Sequence, residues 1–163
     1  MPDSAAPQRR KLRFETVDDA LREAEHLAAA ERDGRLARSG NWSLGKTLGH
    51  LATWANFAHE GYPPEVRPPL PIRLMIRLMR GRILRDGMTP GMKIGRMPGG
   101  TLGLDELPTP DGLARYSTAL RRLAASAPAG ASPVFGRLTH EQWIQLNLRH
   151  AELHLGFQVP VSR

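Results

Sequence analysis

Two imidazoles stand one helical turn apart near the C-terminus, His150 and His154 in the stretch QLNLRHAELHLGF (145–157). Residues at i and i+4 have Cβ atoms about 5–6 Å apart on one helical face, so both rings can reach one ion. Leucines surround the pair, and a neutral imidazole buried without partners costs about 1–3 kcal/mol, so each ring needs a hydrogen bond, a metal ion or water. Catalytic zinc typically takes three protein ligands and leaves a fourth position for water or substrate, so a third donor must come from elsewhere. His50 is the best placed, midway along the apolar stretch SLGKTLGHLATWANFAHEG (43–61). His26 lies beside Glu25 at a helix edge, His59 near a helix end and His140 in a first turn. On the residues alone, a metal site and a set of hydrogen-bonded core imidazoles both stay open.

Other chemistries are narrowed by what surrounds the histidines. The chain has no cysteine, which removes disulfides, thiolate ligands and cysteine nucleophiles together. HAELH differs from the HExxH of zinc peptidases, because Glu152 is two residues from His150, about 200° around a helix, and faces away from the ion onto an expected solvated face. Asn147 and Gln158 continue the His150/His154 stripe as orienting or core-edge polar groups with no assigned catalytic role. A three-histidine site without a neighbouring carboxylate can still lower the pKa of bound water or activate an incoming thiol. Trp42, Trp54 and Trp143 are expected in the core and not around a ligand.

The elements that must position these residues read as helices. TVDDALREAEHLAAAE places Val17, Ala20, Leu21, Ala24, Leu27 and Ala28 at helical spacing behind a Thr16 cap. A second helix runs from Ser43 to the stop signal Gly61, with Thr47, His50, Trp54 and Phe57 as a stripe beside its leucine face. A third main helix starts with Thr109 as cap and buries Leu113, Tyr116, Leu120, Leu123 and Ala127. The last has the capping-box spacing Thr139/Gln142 and runs to about Phe157. No convincing strand, repeat or heptad series is visible, so the expected fold is all-α, a four-helix bundle.

Residues 1–13 are expected as a loose arm and 14–163 as one domain, in which 62–108 is a Pro/Arg/Gly-rich insertion between the second and third main helices. Six glycines and three prolines between Gly87 and Pro108 predict a mobile cover over the site. The arginines Arg73, Arg77, Arg80, Arg82 and Arg85, interleaved with leucine, isoleucine and methionine, have two readings. They lie on an anionic lipid surface, or the helix packs its apolar face on the bundle with its arginines in water; the second is the expectation. The net charge of +7 is read as general arginine enrichment, and no nucleic-acid motif accompanies it. The Arg pair near the N-terminus is not followed by an apolar run, so the expected location is the cytoplasm.

NWSLGKTLGHLATW on the second helix and HAELHLGFQ on the last together resemble the DinB/YfiT-like metalloenzyme superfamily, over most of residues 14–158. The resemblance implies a four-helix bundle with a divalent ion, zinc or nickel, on His50, His150 and His154. It also implies a small electrophilic substrate and a low-molecular-weight thiol as cosubstrate, which this cysteine-free chain would have to receive from outside. Metal-assisted hydrolysis is the second reading, and a non-catalytic binding or stress-response protein with a basic surface the third. A homodimer is left open.

Overall fold

The computed structural model describes residues 7–91 and 101–162. Five α-helices lie among them, α1 (Val17–Arg32), α2 (Leu44–Glu60), α3 (Leu70–Asp86), α4 (Thr109–Ala125) and α5 (His140–Leu155), with a short 3-10 turn at Pro64–Val66 between α2 and α3. Two short strands, β1 (Leu36–Arg38) and β2 (Gln158–Pro160), pair antiparallel, with Ala37 opposite Val159. The fold is therefore mostly helical, as expected, with the amphipathic segment of the insertion forming α3 and one small sheet added. Strands of three residues fall below the length at which an alternating pattern can be read.

Local chemistry sets the helix starts. At Thr16 and Thr139 the hydroxyl accepts from the backbone N–H three residues on, while the Asp19 or Gln142 side chain accepts from the cap's own N–H. Ser43 caps α2 by accepting from Lys46, and Gly61 ends that helix at φ 90°. Thr109 departs from expectation. It is itself the first helical residue, behind Pro108, and its hydroxyl donates to Glu31 of α1.

The core lies where α1, α2, α4 and α5 meet, around Leu27, Leu44, Leu48, Leu51, Leu120, Leu123, Leu148 and Leu155. The closest approach is between α2 and α4. A Cβ on Gly112 would stand 2.7 Å from the Gly45 carbonyl oxygen, so glycine is required for space. Ala127, expected on the buried line, is exposed beyond the end of α4.

Two features reverse the expected distribution of polar and apolar groups. Glu152, expected in solvent, is only 6% exposed. Its Oε1 accepts from the Phe14 N–H at 2.6 Å and lies 3.1 Å from the guanidinium of the equally buried Arg149, which donates to the Phe14 carbonyl. Burial pushes the Glu152 carboxyl up from its ordinary value, and the Phe14 amide draws it back down. The expectation of a loose arm also changes at residues 7–13. The Arg10 N–H donates to the Gly156 carbonyl and its Nε to that of Gln158, while Arg9 Nε donates to Leu153, so this segment is tied to the end of α5.

The second reversal is α3, which packs mainly on α5 and buries only Ile76, Ile83 and Leu84. The expectation that its apolar face would be packed away holds for those three alone. Leu70, Ile72, Leu74, Met75, Leu78 and Met79 are exposed. No helix among the described residues is long and apolar enough to cross a membrane.

Candidate metal centre

His50 comes from the middle of α2 and His150 and His154 from the second half of α5, two helices that pack against each other. The three rings offer nitrogen atoms that all lie within 4.8 Å of one another. His50 Nε2 and His150 Nε2 are 3.1 Å apart. Two imidazole nitrogens at about 2.0–2.1 Å from a tetrahedral zinc are separated by about 3.3 Å, so the spacing fits a shared ion. No further His, Asp or Glu joins this group among the described residues. His140 is engaged elsewhere by the Leu123 carbonyl, His26 pairs with Glu23, and His59 stands apart, as its position near a helix end predicts.

Electrostatics favour ligation. Burial lowers the pKa of His50 to about 4, against a smaller upward pull from the Leu102 carbonyl. Burial also lowers His154 to about 3, helped by His50 and Arg9, and lowers His150 well below the ordinary value, helped by its two neighbours. All three rings are neutral at neutral pH, and each keeps a lone pair. The Nδ1 of His50 lies 2.7 Å from the Leu102 carbonyl oxygen, which can only accept; the proton is therefore on Nδ1 and the lone pair on Nε2, facing His150.

Several neighbours hold the rings, and none of them is assigned to the site by the sequence. The Leu102 carbonyl is set by Gly103, whose φ is +71° and whose missing Cβ would lie 2.8 Å from the Thr53 side chain. Trp42 stacks on His154, with centroids 5.1 Å apart and 5° between the planes, and meets His50 edge-on at 4.9 Å. Trp54 packs edge-on against His150 at 5.8 Å. Trp143 is a core residue as expected, whereas Trp42 and Trp54 enclose the site. Trp54 had a signal, standing four residues after His50 on the same stripe; Leu102 and Gly103 had none.

The two polar residues next to the histidine stripe separate. Asn147 is buried, lines the cavity and donates to the Trp143 carbonyl. Gln158 lies beyond the end of α5 on β2, so it does not continue the helical stripe. It donates to the Trp42 carbonyl and to Thr47, and so holds the tryptophan that stacks on His154.

The three imidazoles open onto a cavity of about 640 Å³ with mostly apolar walls, including Trp42, Trp54, Tyr62, Met79, Leu146 and Phe157. Burial pushes the Tyr62 phenol up, so it remains protonated. Residues 87–91 and Thr101 also line the cavity. The centre of the expected mobile cover, 92–100, lies outside the described residues. A family model described as a protein of unknown function (DUF1569) matches residues 6–161, nearly the whole chain. The chain belongs to the DUF1569 family. No curated protein and no solved structure matches it. The family's description carries no activity, and the chemistry open to this DUF1569 chain lies in its three histidines and the cavity beside them.

Proposed function

We propose that this DUF1569 protein is a divalent-metal-dependent enzyme acting on a small electrophilic substrate, with a low-molecular-weight thiol as cosubstrate and a bundle of the DinB/YfiT type. The observation that carries the reading is the group of three neutral imidazoles at ligand spacing, facing a cavity large enough for a small molecule. His50, His150 and His154 would hold zinc or nickel. Such an ion supplies Lewis acidity and lowers the pKa of a water or thiol brought to it.

The chain's own residues keep the rings deprotonated by burial, orient His50 through Leu102, and limit water with Trp42, Trp54 and Phe157. Asp86 is the only carboxylate among the described cavity residues, and Arg85 engages it at 2.8 Å. No free carboxylate base for water is at hand there, which favours a thiol, whose ordinary pKa is far below that of water, over hydrolysis. The apolar walls favour a substrate with an apolar body.

Metal content and turnover test the two halves of the proposal separately. Parent protein is expected to hold about one zinc or nickel per chain, the occupancy of a single three-ligand site. His150→Ala and His154→Ala are expected to bind at least about 100-fold more weakly, since loss of even an outer-shell partner costs 10–100-fold. Undiminished zinc binding by both variants overturns the ligand assignment. A panel of small thiols with an electrophilic acceptor should show turnover by metal-loaded parent, and none by metal-free or His50→Ala protein. Stoichiometric metal without turnover of any thiol or ester leaves the metal site standing and removes the enzyme.

A further inference from the structure

All the exposed large apolar side chains among the described residues lie on α3, apart from Val161. Leu74, Met75 and Leu78 are 53%, 53% and 85% exposed; Leu74 and Leu78 lie on the side of the helix opposite its buried Ile76 and Ile83, and Met75 lies beside Leu78. A contiguous apolar surface of this kind on a protein otherwise rich in charge marks an interaction site. The charges around it are mostly positive. Arg77, Arg82 and Arg85 are exposed on the same helix, whose single acid, Asp86 at its last residue, pairs with Arg85 at 2.8 Å and Arg82 at 3.7 Å and leaves Arg77 without a carboxylate among the ion pairs of the described residues.

On one flank, Arg77, Arg80 and Arg137 line a shallow cleft that no carboxylate enters among its described residues. Arg80 is held there by donating to the Arg137 carbonyl at 2.9 Å. On the other flank, Met79 and Ile83 form part of the wall of the histidine cavity.

We propose that α3 docks this protein on the surface of an anionic phospholipid bilayer, with Leu74, Met75 and Leu78 in the headgroup and acyl boundary and the arginines on phosphates. The helix does not span the bilayer; it lies in the interface plane, where apolar insertion and attraction to anionic lipid add. Arginine suits this position because its methylene stem covers apolar surface while the guanidinium reaches phosphate. Charge argues against a second copy as the occupant. A two-fold contact would set the arginine-rich helix on itself, and one helix face is small against the roughly 800 Å² per partner of a stable interface. Docked in this way, α3 brings the edge of the cavity to the lipid surface.

Vesicle flotation tests the proposal with the full chain. Vesicles containing about one-third phosphatidylglycerol are expected to retain the parent at least about tenfold better than phosphatidylcholine alone, and to release it at high salt, where the Debye length shrinks towards 3 Å. Leu74→Ser/Leu78→Ser should lose about tenfold of that binding, with helix content and metal stoichiometry unchanged because both side chains are exposed. Arg77→Gln/Arg85→Gln should bind anionic vesicles more weakly and with less response to salt. Failure of the parent to bind, equal binding to neutral and anionic vesicles, or undiminished binding by the serine variant overturns the proposal. A concentration-dependent dimer abolished by Leu78→Ser, without vesicle binding, overturns it by assigning the face to a second copy.

Discussion

On α5, imidazoles, a carboxylate and a guanidinium go inward; on α3, leucines and methionines go outward. The two helices have nearly the same length and pack against each other, so neither length nor neighbourhood explains the contrast. On α5 Glu152, Arg149 and His150 each have a hydrogen-bond partner for at least one nitrogen or oxygen atom, while Arg149 Nε and Nη1 and Trp143 Nε1 have none among the described residues. Glu152 and Arg149 take the N–H and carbonyl of Phe14, and His150 and His154 meet His50. Nothing among the described residues covers the outer face of α3. Buried polar groups are tolerated where partners satisfy them, and exposed apolar groups where a partner outside the chain does so.

The largest test of that contrast is on the inward side. Arg149→Met leaves the Glu152 carboxylate buried beside a single amide, and breaking a buried pair from one side costs about 3–5 kcal/mol. For a domain of this size that lowers Tm by about 10 °C. A melting curve indistinguishable from the parent's would show that the pair is not buried in solution.

Acid should act on the histidines of metal-free protein. Their folded pKa values lie below the unfolded value of 6.5, at about 4 for His50 and about 3 for His154, so below 6.5 the unfolded chain binds protons that the folded chain refuses. Stability is therefore full above the unfolded value and falls as pH drops towards the folded ones. Between about pH 7.5 and 5.5 His50 and His154 each contribute a loss of about 1.4 kcal/mol, measurable by denaturant titration. Equal stability at both pH values would mean that the rings are solvated.

Gly103→Ala addresses the support of the same site. A Cβ at φ +71° and 2.8 Å from Thr53 displaces the Leu102 carbonyl from His50. Loss of such an outer hydrogen bond weakens metal binding by about 10–100-fold, read by competition with a chromogenic chelator. The smallest effect belongs to α3. Leu78→Ser should change folding stability by less than about 0.5 kcal/mol, the ordinary range for surface positions, whereas a buried leucine truncated to alanine costs about 2–5 kcal/mol. A large loss at Leu78 would reveal a partner within the chain.

Much of the helical framework could be read because its signals are local. The Thr16 and Thr139 capping boxes, Ser43 and Gly61 mark helix ends through atoms within four residues. His150 and His154 were legible because i,i+4 spacing is a property of one helix, and His50 because it interrupts an apolar face. Glu152 was misread because periodicity tells which way a side chain points and not what stands there. The partner is the Phe14 backbone, 138 residues away.

The sequence by itself determined the helices, the lack of any cysteine of the chain's own and three histidines in apolar surroundings, all consequences of residue type and short-range spacing. Only the tertiary structure decided that His50 meets the pair with nitrogens 3.1 Å apart, that Leu102 holds its proton, and that Trp42 stacks on His154. It also decided that the apolar side of α3 faces out. Those outcomes depend on how helices dock, and docking is set by summed contacts such as the glycine approach of α2 and α4, which no single segment encodes.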